Sequence, residues 1–131
     1  MTYALSAALQ SAVYARLTDQ ITDTPVYDAL PTGTLPALYI TLGPEVVRDR
    51  SDQTGHGADH DFSVTIATET AGFAAAKLAA AQVSDALLDT VLTLTRGRIV
   101  SLNFLRATAS RVDGSSVRQI TLIFRARVED L

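Results

Sequence analysis

The chain has 131 residues, a formal net charge of −3 at pH 7 and no cysteine. We expect a single domain over residues 1–131, because a chain of this length with 47% hydrophobic and 19% charged residues can fold without a disulfide or a metal. The acidic balance disfavours a dedicated nucleic-acid binder, and the lack of cysteine excludes disulfide scaffolds, cysteine-ligated zinc, iron–sulfur clusters and thiol chemistry. No stretch is long and apolar enough for a membrane-spanning helix, so we expect no membrane partner.

A first helix is predicted from apolar residues that recur every fourth position, namely Leu5, Leu9, Val13 and Leu17. Thr2 is its predicted N-cap, and the helix should end before Thr24 because Pro25 keeps the preceding residue out of the helical conformation. The segment from Val26 to Pro36 is rich in turn-forming residues, and we expect an irregular loop with little regular pairing.

Two strands with a two-residue period follow, and a polar segment separates them. The apolar residues of the first strand are Leu38, Ile40 and Leu42. Val46 and Val47 continue this strand beyond Gly43 and Pro44. The apolar residues of the second strand are Phe62, Val64 and Ile66. Between the strands, residues 48–60 have the sequence RDRSDQTGHGADH, which predicts a long, exposed polar loop.

A second helix is predicted after the turn formed by Thr70, Ala71 and Gly72, and it should end near Asp89. The predicted buried face consists of Phe73, Ala76, Ala80, Val83, Leu87 and Val91. Because many residues of this helix are alanine, a neighbouring element can approach it closely.

The last third of the chain predicts a β-hairpin with one irregularity. The apolar residues change parity between Phe104 and Leu105, and a β-bulge there would restore one buried face. Asp113 and Gly114 are a strong turn signal. The strand after the turn should bury Ile120, Leu122, Phe124, Ala126 and Val128. The predicted fold is of the α+β class, with a mainly antiparallel four-stranded sheet, two helices packed on one face and a C-terminal β-hairpin.

The sequence contains no Gly-rich phosphate loop, nucleophile elbow or HExxH helix, so no catalytic residue and no cofactor are predicted. The only residues of metal-ligand type that cluster in sequence are His56, Asp59, His60 and Asp61. A weak divalent site is conceivable there. Exposed loops also collect Asp and His because these residues are well solvated, and we therefore predict no metal site.

The arginines of the C-terminal third are the more informative charges: Arg96, Arg98, Arg106, Arg111, Arg118, Arg125 and Arg127. They can form cross-strand ion pairs on a solvated sheet face, or they can meet the acidic surface of another subunit. RNA recognition would also require stacking aromatic residues, which make up only 6% of the chain. The candidate residues for a subunit or ring-to-ring interface are Arg48, Asp49, Arg50, Asp52, His56, Asp59, Arg125 and Arg127.

Taken in order, several segments resemble one family of proteins. They are MTYALSAALQSAVYARL, VYDALP, YITLGPE, HDFSVTIAT, AGFAAAKLAAAQVSDAL, RGRIVSLNFL, RVDGSSVRQ and FRARVED. Their order and spacing resemble the tail terminator or tail-completion proteins of long-tailed phages, and most of all the members found in gene transfer agents of alphaproteobacteria. The resemblance covers nearly the whole chain.

The resemblance implies a structural role without catalysis. Six copies would form a ring that caps the tail tube, ends tube polymerisation and joins the tail to the head-side connector. The implied partners are the chain itself as a homohexamer, the tail tube protein and the head-side stopper or connector protein, while DNA passes through the channel without specific binding. After assembly in the bacterial cytoplasm the protein would lie at the head–tail joint of the virion. Separately from the resemblance, we hypothesise that the polar loop from Arg48 to Asp59 contacts the tube or the connector ring.

Two alternatives stay open at this point. The chain could be a head-closure or stopper protein of the same neck, because small neck proteins have similar compositions. Less favoured is a small metal-dependent enzyme or metal-binding module that uses His56 and His60.

Overall fold

The computed structural model describes residues 3–53 and 55–130. In chain order the elements are α1 (Ser6–Gln20), β1 (Val26–Tyr27), β2 (Leu38–Asp49), β3 (His56–Thr68), α2 (Ala74–Leu88), β4 (Arg98–Arg111) and β5 (Arg118–Asp130). The strands form one sheet in the order β1-β2-β3-β5-β4, in which β1 is parallel to β2 and the other neighbours are antiparallel. Within these residues, neither helix has the length and hydropathy needed to cross a membrane.

The predicted α+β class with two helices is confirmed, but the predicted four-stranded antiparallel sheet is wrong by one strand. Val26 and Tyr27, expected in an irregular loop, pair in parallel with Ile40 and Thr41. A strand of two residues is too short for its alternation to be recognised in a sequence. The sheet is therefore mixed and has five strands.

One hydrophobic core joins both helices to the same face of the sheet. The four residues that predicted α1 are all buried, as are most of those that predicted α2. Phe73, at the N-cap of α2, is only partly buried, and Val91 is 78% exposed because α2 ends at Leu88 and Val91 lies beyond it. Leu5 occupies the N-cap of α1, whereas the predicted cap Thr2 lies outside the described residues. On β5, the buried residues are the predicted ones: Ile120, Leu122, Phe124, Ala126 and Val128.

The predicted loop at residues 48–60 is wrong for most of its length. β2 continues to Asp49 and β3 begins at His56, so only residues 50–55 connect the two strands. Arg48 pairs in register with Asp59. β3 also pairs with β5 along its whole length, so its polar residues have strand neighbours on both sides. Because these residues are polar, the segment lacks the apolar alternation from which a strand is predicted.

The irregularities of the last two strands agree with the predictions. The register of β4 against β5 shifts between Phe104 and Arg106, which confirms the predicted β-bulge. The hairpin turn is also confirmed, since the Val112 amide donates to the Val117 carbonyl at 2.9 Å and Gly114 has φ of +72°. A further bulge in β2, between Leu42 and Glu45, coincides with Gly43 and Pro44.

Candidate functional site

The four residues that suggested a metal site lie on β3, and strand alternation separates them. His56 and His60 share one face of the strand, whereas Asp59 and Asp61 share the other. His60 is fully buried against the helix layer. No group of three or more His, Cys, Asp or Glu side chains is placed to hold a metal in the part of the chain that the structure describes. The four side chains on which the metal-binding alternative depends therefore do not converge on one site.

The face of the sheet opposite the helices carries a cluster of ion pairs. Asp61 is its centre: it accepts hydrogen bonds from Arg48 Nη2 at 2.7 Å and from Arg125 Nε and Nη2 at 2.8 and 2.9 Å. Beside it, Arg50 Nε donates to Asp59 Oδ2 at 2.8 Å. The cluster thus joins β3 to both neighbouring strands and to the turn after β2. We call these five residues the ion-pair cluster.

The electrostatics of the ion-pair cluster keep its charges fixed. The hydrogen bond from Arg125 has the largest effect on Asp61, and together with Arg48 it holds the pKa of Asp61 below its ordinary value of 3.8 despite partial burial. The same hydrogen bond raises the pKa of Arg125. The side chain of Asp59 is only 5% exposed, whereas those of Arg48 and Arg50 are 53% and 52% exposed. The surface therefore presents guanidinium groups to solvent, and the carboxylates that neutralise them lie beneath.

The remaining predicted interface residues lie around the ion-pair cluster. Asp49, the last residue of β2, accepts hydrogen bonds from Ser51, and in the turn that follows Asp52 accepts one from the Gly55 amide at 2.7 Å. His56 is exposed at the start of β3. Arg127 is exposed opposite Asp59 in the sheet, and its side chain has no hydrogen bond or ion pair within the described ranges.

Two more ion pairs lie at the same end of the sheet. Arg96 donates two hydrogen bonds to Asp130, and Arg98 donates two to Glu129. The hydrogen bond to Asp130 raises the pKa of Arg96. Sequence reasoning did not foresee these pairs or the central position of Asp61, because they depend on strand register. The alternation of arginine and acidic residues along β3 and β5 is the sequence feature that could have indicated these ion pairs.

Sequence reasoning also missed a contact between the start of α1 and the bulge of β2. Glu45 accepts hydrogen bonds from the hydroxyls of Tyr3 and Ser6 at 2.5 and 2.6 Å. The Tyr3 ring stacks on the His60 imidazole with 6.4 Å between centroids. Burial raises the pKa of Glu45, but the hydrogen bonds from Ser6 and Tyr3 act in the opposite direction, and the pKa lies below its ordinary value of 4.5. This contact fixes the N-terminal end of α1 on the sheet.

Comparisons with known proteins agree with this fold. The model of a family described as tail completion protein gp17 matches residues 4–129. A chain of a solved structure described as "Virion of native gene transfer agent (GTA) particle" is 53% identical, with a TM-score of 0.91 and coverage of 98% of this chain and 99% of that chain. No curated protein matches the chain by sequence. The resemblance stated from the sequence is confirmed.

Proposed function

Because the chain belongs to the tail completion protein gp17 family, we propose that it is a structural protein that completes the tail of a phage-like particle and catalyses no reaction. The observation that carries this proposal is the 53% identity, over nearly the whole chain, to a component of a gene transfer agent virion. In the proposed assembly, six copies form a ring at the head–tail joint. The ring caps the tail tube, stops further addition of tube subunits and presents its other face to the head-side connector protein.

The net negative charge of the chain is consistent with a ring whose channel DNA crosses without binding to it. With a formal net charge of −3, the protein repels rather than attracts the phosphate backbone overall. Most arginines that could bind phosphate are instead paired with carboxylates of the same chain, as Arg48, Arg50 and Arg125 are in the ion-pair cluster. DNA is therefore a passing cargo in this proposal and not a ligand.

The ring-to-ring contact is assigned to the ion-pair cluster and the turn beside it. The proposed residues are Arg48, Asp49, Arg50, Asp52, His56, Asp59, Arg125 and Arg127. Buried Asp59 supports this surface from beneath, and the exposed members meet the tail tube or the connector. A surface of fixed, paired charges suits this role because its geometry is set before the partner arrives.

The mass of the protein in solution tests the ring. It is measured by light scattering coupled to gel filtration, first alone and then with the tail tube protein of the same particle. We expect a six-fold ring, either in both samples or only after the tube is added. A persistent monomer that ignores the tube would contradict the ring and favour the head-closure or stopper role.

A charge reversal tests the ring-to-ring contact. Arg127→Glu should leave the fold and the ring mass unchanged, because the Arg127 side chain is exposed and unpaired within the described residues. It should lower the fraction of tailed particles, counted by electron microscopy in cells that lack the natural protein. Lys77→Glu, on the exposed side of α2, is the matched control and should leave tail attachment intact. Normal tailing with Arg127→Glu would refute this contact.

A further inference from the structure

The two helices do not cover the C-terminal half of β4, which contains Ala107 and Ala109. Residues opposite one another in antiparallel strands point to the same face of the sheet. Leu122 and Ile120 of β5 are each 4% exposed, whereas Ala107 and Ala109, which pair with them on β4, are both exposed. The helices therefore leave Ala107 and Ala109 uncovered on the inner face of β4, whereas Ile99 and Leu102 of the same strand pack partly against the core.

This bare strip continues into a larger apolar surface. Phe104 on β4 is 45% exposed, and a groove of about 220 Å³, which residues 99–102 line on the β4 side, lies between β4 and the end of α2. Three exposed residues of that groove are Leu88, Val91 and Val100. The β4 surface is defined here as Leu88, Val91, Val100, Phe104, Ala107 and Ala109. β4 is also an edge strand of 14 residues, so one row of its backbone groups is unpaired in the sheet. A long apolar edge of this kind is typical of a surface that a partner covers.

The charges at the end of the β4 surface point to an acidic partner. Arg111 lies directly opposite Arg118 in the hairpin, an arrangement in which two like charges repel. Neither guanidinium has a carboxylate partner within residues 3–53 and 55–130. Arg118 instead lies over the Phe73 ring at 5.7 Å and donates to the Thr70 carbonyl at 3.5 Å. Carboxylates from outside the chain would relieve this repulsion.

A second exposed surface lies near the opposite edge of the sheet. α1 packs beside β1, and its outer side forms an open depression of about 610 Å³. The α1 surface is defined here as Tyr3, Ala4, Ala7, Ser11, Tyr14 and Asp28, which line this depression. Its small residues permit close approach. Asp28 accepts a hydrogen bond from Gln10, Asp19 lies in the last turn of α1 and Asp23 lies between α1 and β1, so this side is acidic.

We propose that the β4 surface of one copy packs on the α1 surface of the next copy, with Arg111 and Arg118 beside the acidic segment that contains Asp19, Asp23 and Asp28. This inference rests on the proposed ring and identifies its lateral contact. The two surfaces differ and lie near opposite edges of one sheet, as a head-to-tail contact that closes into a ring requires. Pairing of β4 with β4 would instead give a two-fold dimer and no ring.

Single cysteines test the contact without interference, because the chain has none of its own. Ala7→Cys and Ala107→Cys place one thiol on each surface, and both positions are exposed. The two variants, one with a tag that changes its mass, are mixed with the tail tube protein and treated with a short bismaleimide. We expect cross-links between the two variants and none within either variant alone. The double variant should give a ladder that ends at the ring size, whereas Lys77→Cys mixed with Ala107→Cys is the control and should remain uncross-linked.

The outcomes separate this inference from the proposed function. An assembly of ring mass without links between position 7 and position 107 would overturn the lateral contact and leave the ring in place. Links between two copies of Ala107→Cys would overturn it in favour of a two-fold contact. A protein that stays monomeric alone and with the tube would overturn both the ring and the contact.

Discussion

The Nδ1 atom of His60 lies 3.7 Å from Oε2 of Glu45, and the imidazole is fully buried. Neither ring nitrogen has a hydrogen-bond partner within the described residues. Burial holds the pKa of His60 below its ordinary value of 6.5, although the carboxylates of Glu45 and Asp59 act in the opposite direction. The folded protein therefore favours the neutral imidazole, which stacks on Tyr3 and supports the start of α1.

This burial makes the stability depend on pH. Because the pKa of His60 is lower in the folded chain than in the unfolded chain, the unfolded chain binds a proton first as the pH falls. The free energy of unfolding should therefore be highest above pH 6.5 and decrease from there down to the folded pKa. Urea unfolding at a series of pH values measures it. His60→Phe removes the titrating group and should flatten this part of the profile, whereas an unchanged slope would contradict the assignment.

The carboxylate at the centre of the ion-pair cluster should be important for stability. Asp61→Asn weakens its hydrogen bonds to Arg48 and Arg125 and leaves two neighbouring positive charges, so we expect a loss of about 1–3 kcal/mol. Denaturant unfolding measures this loss, which should change with salt concentration. Asp85→Asn on the exposed side of α2 is the control and should change stability by less than about 0.5 kcal/mol. Equal effects of the two substitutions would contradict a structural role for the cluster.

Gly97 is required by its surroundings as well as by its backbone. Its φ is +68°, and a Cβ there would lie 2.5 Å from the Glu129 carbonyl oxygen and 2.9 Å from both methyl groups of Leu5. Gly97→Ala should therefore lower the free energy of unfolding by at least about 3 kcal/mol. Gly72→Ala is the matched control, because Gly72 has φ of +80° with open space around it and its substitution should cost about 1 kcal/mol. Thermal unfolding of both variants separates steric overlap from backbone strain.

The lateral contact predicts a charge exchange. Arg111→Glu should weaken ring assembly at least about tenfold, because the hairpin would then face the acidic segment of the next copy with a negative charge. Asp28→Arg in the same chain should restore part of this loss. The concentration dependence of the mass measures both effects. Arg106→Glu is the control on the opposite face of the same strand, and equal weakening by it would argue against a specific contact.

The predictable part of the fold is the part in which burial is one-sided. α1, α2 and β5 each bury one regular stripe, so a period of 3.6 or 2 residues identified them. The β4 bulge was predictable because Phe104 and Leu105 break the parity of an otherwise regular pattern. The charged ends of β2 and β3 were not predictable from the sequence. Arg48 pairs with Asp61, and Arg50 pairs with Asp59, only once the two strands are in register.

The candidate site was predictable in its composition but not in its arrangement. Arg48, Arg50, Asp59 and Arg125 were all candidates from the sequence, yet Asp61, which joins two of them, was assigned to a conceivable metal site. Residues far apart in sequence meet there, and only the pairing of β3 with β5 defines which ones meet. The contact of Tyr3 with Glu45 has the same origin, since 42 positions separate the two residues.

The ion-pair cluster also gives the proposed ring a direction. The carboxylates of Asp59 and Asp61 are already bonded within their own chain, so the exposed part of the ion-pair cluster consists mainly of hydrogen-bond donors. Two such faces brought together would set donor against donor and positive charge against positive charge. A ring with this surface resists stacking on a second copy of itself and favours a partner rich in acceptors. Back-to-back pairing of free rings is thereby disfavoured before either ring has reached a tail.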